Sequence, residues 1–556
     1  MKRFLTAFLA AGALLSLLSC AAPANKAGEQ PLPVPVREIL RQKLCVDLRY
    51  WTSDAIVSNE SVTFTVKALD EEIAKALNAL RPGAVILFAE SCQDGPQVGK
   101  LITDIRAEAR ENGWPDPLLT VDQEGGRVER LTFGPHFPSA AALGPMDEAY
   151  IENMAGELAD LTLASGFDLD FAPVCDVDSN PKNPVINTRS FGHDAQTVSK
   201  GARAFIRSFR KHGLLSCAKH FPGHGDTSVD SHTGLPRVEK TLNDLRSLEL
   251  KPFKAAIEEG VDCVMTSHIQ FPNIETNTLT GLNGQKILRP ATLSKTILKD
   301  VLRNELGFEG VIISDDMDMD AISKSFDWKE AVIESWIAGC DITMATKRFQ
   351  SLASLKEWDD LLDKAEAAVA DGRYPLGELI ASYGRIKKLK DRCRENKETV
   401  KVSFFSYFGP DKTPQEIDSL SKATITMKGD ASLLKEIPPE KSQWFSRNFF
   451  SAASQRGFLI FNGSSFTIDP NIVLIYNYSS ASPKESEIEN LQATIDKAKA
   501  EGKKVILLSC GVPVEEKLFP NVDLLIMSKG GLAGISSLAG ISSLFRNADS
   551  SSANGY

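Results

Sequence analysis

Three separate segments of the sequence hold side chains of the types that perform proton transfer or nucleophilic attack. Four of the seven histidines fall between His212 and His232, and the densest segment is KHFPGHGDTSVDSHTGLP, residues 219–236. The second segment, GFEGVIISDDMDMDA (307–321), places adjacent carboxylates after an apolar run. The third, LLTVDQEGGRVER (118–130), combines carboxylates with two arginines. These segments are the candidates for acid–base or covalent chemistry.

Three interpretations of the histidine-rich segment compete, of which the first two are a metal site and a set of tight turns. The metal ligands would be His220, His224, Asp226 and His232. Pro222 and the glycines interrupt the segment, so the histidines would not share a helical face as they do in HExxH. We therefore expect no metal and no cofactor. The turn-forming residues would be Pro222, Gly223, His224 and Gly225.

The third interpretation is proton transfer. Asp230 precedes His232 by two residues on what should be a flexible loop. A carboxylate partner can orient an imidazole and raise its pKa, which makes the histidine a usable general acid near neutral pH. The pair is therefore a candidate acid/base unit.

Two adjacent carboxylates follow the apolar run Val311–Ile313, which has the composition of a buried parallel strand. They are Asp315 and Asp316. Burying charge without a partner is costly, so both carboxylates need a function. We expect one of them to cap a helix or anchor a loop, and the other to point into the site.

The third segment places polar side chains after another strand candidate. Asp122 ends the strand, two glycines allow a tight turn, and Arg127 and Arg130 follow. Carboxylates and guanidinium groups hydrogen-bond well to sugar hydroxyls. No GxGxxG dinucleotide motif, GxxxxGK[ST] phosphate loop or GxSxG elbow is present.

The elements that must position these residues alternate between strands and helices from about residue 36 to 390. The strand candidates are KLCVDLRYW, GAVILFA, PLLTVDQ, FDLDFAPV, LLSCAKH, DCVMTSHI, GVIISDD and DITMA. Amphipathic stretches with apolar residues three and four positions apart separate them. Eight alternating units predict an α/β fold, a (β/α)₈ barrel, and its active site should lie at the carboxyl ends of the strands. Most of the strand candidates do end in polar residues.

The remaining chain divides into smaller parts. A basic helical stretch ends the catalytic barrel, which we place at 36–395. Strand-like runs and one amphipathic helix predict a smaller C-terminal α/β sandwich domain at 400–545, followed by a polar tail at 546–556. We assign no role to the short repeat LAGISSLAGISSL within it.

The N-terminus has the pattern of a secretory signal. Two basic residues precede an uncharged apolar run that ends in Leu17-Leu18-Ser19-Cys20, which resembles a bacterial lipobox. We expect a signal peptide at 1–19, lipidation of Cys20, a tether at 20–35, and export to a lipid-anchored position on the cell envelope. The net charge of −10 argues against non-specific nucleic-acid binding, and no protein partner is predicted.

Several long segments resemble the family 3 glycoside hydrolases, specifically the bacterial β-N-acetylglucosaminidases. The segments are VDQEGGRVER, NPVINTRSFG, KHFPGHGDTSVDSHTGLP, VMTSHIQFP and LRNELGFEGVIISDDMDM, in the order of the family. The resemblance covers nearly all of residues 36–395. It implies a retaining exo-acting hydrolase that acts on saccharides with a terminal N-acetylglucosamine (GlcNAc), including fragments of peptidoglycan.

Carried over by position, the resemblance implies a role for each of eight residues. Asp315 matches the nucleophile of the family, His232 its histidine acid/base, and Asp230 the carboxylate paired with that histidine. The residues that would hold the hydroxyls of the terminal sugar are Asp122, Arg130, Arg189, Lys219 and His220.

Two alternatives remain open at this stage. An imidazole acid/base adds no negative charge, so phosphate could replace water as the acceptor, and the enzyme would then be a phosphorylase that uses the same residues. The other alternative is a sugar-binding lipoprotein without catalysis, against which the intact Asp315, His232 and Asp230 argue.

Overall fold

Eight parallel strands close into a barrel in the computed structural model, which describes residues 34–57, 60–227, 234–399, 425–429, 464–469, 472–479, 485–511 and 521–528. The strands of this part of the chain are β1 (Leu44–Asp47), β2 (Tyr50–Val57), β3 (Glu60–Thr65), β4 (Ala84–Ile86), β5 (Leu118–Val121), β6 (Leu169–Asp170), β7 (Leu215–Phe221), β8 (Cys263–Thr266), β9 (Thr278–Thr280), β10 (Lys286–Leu288), β11 (Val311–Ile313) and β12 (Thr343–Ala345). The barrel order is β11-β8-β7-β6-β5-β4-β1-β12. A parallel bridge between Ile313 and Ile342 joins the two ends of the sheet. The predicted (β/α)₈ barrel is confirmed.

The barrel strands form because their residues are buried on both faces. One apolar cluster takes residues from every barrel strand, among them Cys45, Ile86 and Met265. Residues of the opposite parity, such as Val46 and Val85, pack in a second cluster with the helices. Two-sided burial explains the near-continuous apolar runs of the sequence.

Helices connect the strands and surround the sheet. They are α1 (Val36–Arg41), α2 (Glu71–Leu80), α3 (Gly95–Glu111), α4 (Ala140–Leu143), α5 (Glu148–Ala164), α6 (Ala195–His212), α7 (Leu242–Ser247), α8 (Leu250–Glu259), α9 (Asp320–Ser323), α10 (Trp328–Ala338), α11 (Leu355–Ala370) and α12 (Leu376–Thr399), with a π-helical segment at Thr296–Glu305. Many begin at a side-chain cap: the carboxylate of Asp194 accepts the amide N–H of Thr197 at the start of α6. Such caps set where each helix begins.

Two segments differ from their sequence interpretation. The run KLCVDLRYW was expected as one strand, but the barrel strand β1 ends at Asp47 and β2 pairs with β3 in an antiparallel hairpin. The amphipathic stretch at 241–260, between the strand candidates LLSCAKH and DCVMTSHI, is interrupted and forms two helices, α7 and α8. In both segments apolar periodicity continues across a turn, so periodicity alone does not show the break.

Helix α12 packs across the end of the barrel where the strands begin. Three of its basic side chains form ion pairs with aspartates that lie one or two residues before a strand. The pairs are Arg385–Asp341, Arg392–Asp262 and Lys397–Asp168. Each aspartate also accepts an amide N–H from the neighbouring strand, so α12 is tied directly to the hydrogen-bonded edge of the sheet.

A buried lysine lies at the same end. Lys43 is fully buried, and its ammonium group donates to the backbone oxygen of Cys340 at 3.0 Å and to Ser382 Oγ at 2.5 Å. Burial lowers the pKa of Lys43 to about 7, although the carboxylate of Asp341 acts in the opposite direction. The charged lysine is therefore a cost to the folded state.

Part of the C-terminal region is also described. Strands β13 (Ile425–Gly429), β14 (Ser464–Asp469), β15 (Ile472–Ser479), β16 (Lys504–Gly511) and β17 (Leu524–Ser528) form a sheet in the order β13-β17-β16-β15-β14, with helix α13 at Glu485–Ala500. Strands β15, β16 and β17 are parallel, and the two outer strands are antiparallel to their neighbours. The bounds predicted for this domain, 400–545, remain a prediction.

The predicted signal peptide (1–19), Cys20, nearly all of the tether (20–35) and the polar tail (546–556) lie outside the described residues. Within the described parts of the chain, no helix combines the length and the apolar character that crossing a membrane requires.

Candidate active site

The candidate site lies at the barrel end that holds the carboxyl ends of the strands, which we call the mouth. Asp122 directly follows β5, and Lys219 and His220 lie near the carboxyl end of β7. Asp315 follows β11 after one residue. Because all eight barrel strands are parallel, these residues converge at one face of the barrel.

Lys219 lies at the centre of a charged cluster in the mouth. Its Nζ is 2.7 Å from Asp122 Oδ1 and 2.6 Å from Glu124 Oε1, and its side chain is 1% exposed. Burial alone would lower the pKa of Lys219, but the two carboxylates outweigh it and the pKa is raised. Lys219 is therefore a fixed cation at neutral pH.

Glu124 connects Lys219 to Arg189. Arg189 donates to Glu124 through Nε at 2.8 Å and through a terminal nitrogen at 2.7 Å. Burial would raise the pKa of Glu124, but Arg189 and Lys219 more than offset it and hold that pKa well below its usual range. Arg189 ends a short 3₁₀ turn, Asn187–Arg189, that follows the loop after β6. Glu124 is thus a buried anion that fixes two predicted sugar-binding cations.

Arg130 approaches Asp122 from the other side. One of its terminal nitrogens lies 3.7 Å from Asp122 Oδ2, and its guanidinium lies 5.4 Å from the centre of the Phe88 ring. A hydrogen bond holds the backbone of Arg130 close to Asp122: Oε1 of Gln123, the residue after Asp122, accepts the amide N–H of Arg130 at 2.8 Å. The turn needs glycine: Gly125 has φ +86°, and a Cβ there would lie 2.6 Å from a backbone oxygen.

His220 is oriented by a buried aspartate. Its Nδ1 lies 2.7 Å from Asp176 Oδ2, and the same carboxylate accepts the amide N–H groups of His220 and His224. Burial would raise the pKa of Asp176, but the two histidines and these hydrogen bonds lower it. The Nε2 of His220 is left facing Arg189, 3.4 Å from a terminal nitrogen. His220 therefore presents one fixed ring nitrogen to the cluster.

Asp315 interacts electrostatically with His224, which packs against His220 of the cluster. The rings of His220 and His224 meet edge to face with centroids 5.9 Å apart. The pKa of His224 is lowered to about 4, mainly by burial, and Asp315 is among the charges that act on it in the opposite direction. Asp315 is partly buried, and its Oδ1 accepts the amide N–H of Asp316 at 2.8 Å. At neutral pH His224 is therefore an uncharged imidazole within electrostatic range of the carboxylate of Asp315.

The adjacent Asp316 has the anchoring role expected for one member of the pair. It accepts hydrogen bonds from the amide N–H of Asp318 at 3.0 Å and from the amide N–H and Oγ1 of Thr346 at 3.1 and 2.5 Å. These bonds tie the loop after β11 to the loop after β12.

The structure brings together five of the eight predicted catalytic and sugar-binding residues through side-chain contacts, and a sixth through electrostatic interaction with His224. The five are Asp122, Arg130, Arg189, Lys219 and His220, and the sixth is Asp315. Asp230 and His232 lie outside the described residues, so their pairing stays a prediction. Among the residues that are described, no group of three or more acidic, histidine or cysteine side chains has the arrangement of a metal site.

Sequence reasoning missed two carboxylates. Glu124 lies two residues after Asp122 in the segment LLTVDQEGGRVER, and Asp176 lies in the loop that follows β6. The rule that polar residues at strand ends face the mouth could have found both. The rule does not show which charged side chains pair, because the two members of a pair are 44 to 97 residues apart in the chain.

Comparison with known proteins places this geometry in a family. The sequence profile described as "Glycosyl hydrolase family 3 N terminal domain" matches residues 48–389. The chain is 31% identical over 431 residues to beta-hexosaminidase A of Pseudoalteromonas piscicida, which covers 75% of this chain and 72% of that protein. It is 35% identical over 298 residues to a beta-hexosaminidase of Neisseria meningitidis serogroup C (strain 053442), covering 52% of this chain and 78% of the relative. A solved family 3 beta-N-acetylglucosaminidase from Paenibacillus sp. str. FPU-7 superimposes with a TM-score of 0.69 at 25% identity, covering 91% of this chain and 96% of that one.

Proposed function

The chain belongs to glycosyl hydrolase family 3 and is a glycoside hydrolase, and from this premise we propose that it is a retaining exo-β-N-acetylglucosaminidase. Its substrates are saccharides with a terminal β-linked GlcNAc, including fragments of peptidoglycan. The names of its relatives, beta-hexosaminidases and a beta-N-acetylglucosaminidase, support this substrate class.

The observation that carries the proposal is the composition of the mouth. The mouth holds the carboxylate of Asp315 and a charged cluster of Lys219, Arg189, Asp122 and Glu124. Such a cluster offers both donors and acceptors to sugar hydroxyls, while the carboxylate can attack an anomeric carbon.

In the proposed reaction, the carboxylate of Asp315 attacks the anomeric carbon while the bond from that carbon to the leaving oxygen breaks. His232, paired with Asp230, gives its proton to the leaving oxygen, and a glycosyl-aspartate ester forms. The same histidine then takes a proton from water, which attacks the anomeric carbon and releases Asp315. The two inversions give net retention.

Asp122, Arg130, Arg189, Lys219 and His220 hold the hydroxyls of the terminal sugar in this proposal. Lys219 and Arg189 are already held by the buried carboxylate of Glu124 before substrate arrives. Prior fixation reduces the entropy lost when the sugar is ordered, and it places the anomeric carbon against Asp315.

Release of nitrophenol from its β-GlcNAc glycoside tests the activity. We expect Asp315→Asn to lose at least about 1000-fold in kcat, because an amide cannot form the ester intermediate. Asp320→Asn is the matched control, since within the described residues the carboxylate of Asp320 forms an ion pair only with Lys324, four residues further along the chain. Full activity in Asp315→Asn would refute the assignment.

The acid/base pair needs a different substrate. His232→Ala should lose most activity on a disaccharide, whose leaving alcohol requires protonation, and much less on the nitrophenyl glycoside. Equal losses on both substrates would remove the acid/base role of His232.

Product analysis by NMR separates hydrolysis from phosphorolysis. We expect free β-GlcNAc as the first product, with or without inorganic phosphate in the buffer. GlcNAc-1-phosphate as the main product in phosphate would replace the hydrolase proposal with the phosphorylase, and sugar binding without turnover would favour a binding lipoprotein.

We further propose that the protein is exported and held at the cell envelope by a lipid on Cys20. The lipobox-like sequence Leu17-Leu18-Ser19-Cys20 supports this location. In cell fractionation, the protein should be found with membranes, and Cys20→Ala should shift it to the soluble fraction; an unchanged distribution would contradict the anchor.

A further inference from the structure

We propose that Asp316 and Thr346 are positioning residues that hold the turn carrying Asp315 in its reactive geometry. The inference rests on the proposed role of Asp315 as nucleophile. What fixes that carboxylate in the mouth is a separate matter from its role as nucleophile.

The first support is the hydrogen bonding of Asp316 to the neighbouring loop. Its Oδ2 accepts from Thr346 Oγ1 at 2.5 Å, and its Oδ1 accepts from the amide N–H of Thr346 at 3.1 Å and from that of Asp318 at 3.0 Å. Both carboxylate oxygens are therefore used, and two of the three donors belong to one residue on the loop after β12.

Further bonds attach the same turn to the strands on each side of β11. Asp318 Oδ2 accepts the amide N–H of Lys347 at 2.9 Å, and its Oδ1 lies 2.7 Å from Nε of Arg348. On the β8 side, Nε2 of the buried His268 lies 3.0 Å from the backbone oxygen of Asp316. Asp316 is thus the point at which bonds from both neighbouring strands meet.

This arrangement acts directly on Asp315. The amide N–H of Asp316 donates to Asp315 Oδ1 at 2.8 Å, so the peptide that orients the nucleophile belongs to the residue held by Thr346. Loss of the anchor would allow that peptide and the carboxylate of Asp315 to move together. A displacement of about 1 Å can cost about 100-fold in rate, because attack requires a narrow geometry.

A carboxylate at position 316 is electrostatically costly. Burial raises the pKa of Asp316 to about 6, and the neighbouring charges of Asp318 and Asp315 add to the increase. Asp47, at the end of β1, faces the same group. An asparagine would avoid this repulsion but has only one acceptor oxygen for the three donors. The carboxylate is explained by its hydrogen bonds to the Thr346 loop.

The sharpest test uses two substitutions of Thr346. Thr346→Val keeps the shape and the amide N–H but removes the hydroxyl, whereas Thr346→Ser keeps the hydroxyl. We expect Thr346→Val and Asp316→Asn to lower the rate of glycosyl-enzyme formation by about 10- to 100-fold. The rate in Thr346→Ser should stay within about threefold of the wild-type rate, because the hydroxyl that holds Asp316 is retained. Asp320→Asn, which removes a carboxylate from the adjacent helix α9, is the control.

Two readouts separate positioning from loss of folding. The rate of glycosyl-enzyme formation is measured by mass spectrometry with the 5-fluoro-glycosyl fluoride of GlcNAc, and binding of free GlcNAc is measured by calorimetry. We expect the first to fall in Thr346→Val while the dissociation constant changes less than about threefold, because the sugar-binding cluster is not altered. Equal rates in Thr346→Val and Thr346→Ser, at equal melting temperatures, would overturn the inference.

Failure of the underlying function gives a different result. If the wild type turns over no β-GlcNAc glycoside, or if Asp315→Asn remains active, the proposed function fails and the inference fails with it. If the wild type is active, Asp315→Asn is inactive, and both Asp316→Asn and Thr346→Val match the wild type, only the positioning role is refuted.

Discussion

Replacing Glu124 by glutamine removes one charge from the centre of the sugar-binding cluster without changing the size of the side chain. In the wild type, the carboxylates of Asp122 and Glu124 balance the cations Lys219 and Arg189. Glutamine has one acceptor oxygen for the three nitrogen donors, two from Arg189 and one from Lys219, that contact the carboxylate of Glu124 in the wild type. One buried cation is left without an opposite charge.

The expected magnitude follows from the burial of the group. The side chain of Glu124 is 5% exposed, and those of Lys219 and Arg189 are 1% and 13% exposed, so solvent screens the interaction only weakly. Removing one partner of a buried ion pair costs about 3–5 kcal/mol of stability. Each cation that loses its orientation toward a sugar hydroxyl loses about 1.5–3 kcal/mol of binding, which is about 10- to 100-fold in KM.

The stability effect has a defined pH dependence. The pKa of Glu124 is lower in the folded state than its ordinary value of 4.5, so its stabilising effect is complete above that value. It is lost as the pH falls below 4.5 toward the folded-state pKa. The difference in melting temperature between the wild type and Glu124→Gln should therefore be largest near pH 7 and smaller at pH 3.5.

The assay is steady-state kinetics with the nitrophenyl β-GlcNAc glycoside, and Glu129→Gln provides the matched control. Glu129 is also buried and belongs to the same loop, but its carboxylate contacts His136 and the amide N–H of Phe137. We expect KM to rise in Glu124→Gln and to change less than about threefold in Glu129→Gln, because only the first substitution alters the cluster. Equal effects of the two substitutions would refute the reasoning.

Three further predictions concern other buried groups. Asp176→Asn should lower kcat/KM by about 10- to 100-fold because His220 loses a charged acceptor; an unchanged value for the same glycoside would contradict this. Lys43→Met should raise the free energy of unfolding in urea more at pH 7 than at pH 9, because the unfolded lysine is protonated below 10.5 and the folded one only below about 7. The difference should shrink by up to about 1.4 kcal/mol per pH unit, and a pH-independent difference would exclude the shift. Gly225→Ala should lower the melting temperature sharply, because a Cβ there would lie 1.6 Å from a backbone oxygen, whereas Gly377→Ala meets nothing within 4 Å; equal stability of the two would contradict the clash.

The barrel could be predicted because its signal is local. The segments GAVILFA and LLSCAKH are largely apolar on both faces, and they form the barrel strands β4 and β7; the polar end of LLSCAKH, Lys219 and His220, lies at the mouth. The break between β1 and β2 could not be predicted in the same way, because Leu48, Tyr50 and Trp51 continue the apolar and aromatic pattern after β1 while the chain leaves the barrel. Only pairing with β3, which lies further along the chain, shows where the barrel strand ends.

The sequence by itself determined the order of the eight barrel strands, the family, and the position of Asp315 after an apolar strand. Tertiary structure alone decided which polar and charged side chains meet: Glu124 holds Lys219 and Arg189, Asp176 holds His220, and Thr346 holds Asp316. The physical reason is that strand formation depends on neighbouring residues, whereas an ion pair depends on burial and on a distance of a few ångströms between residues far apart in the chain.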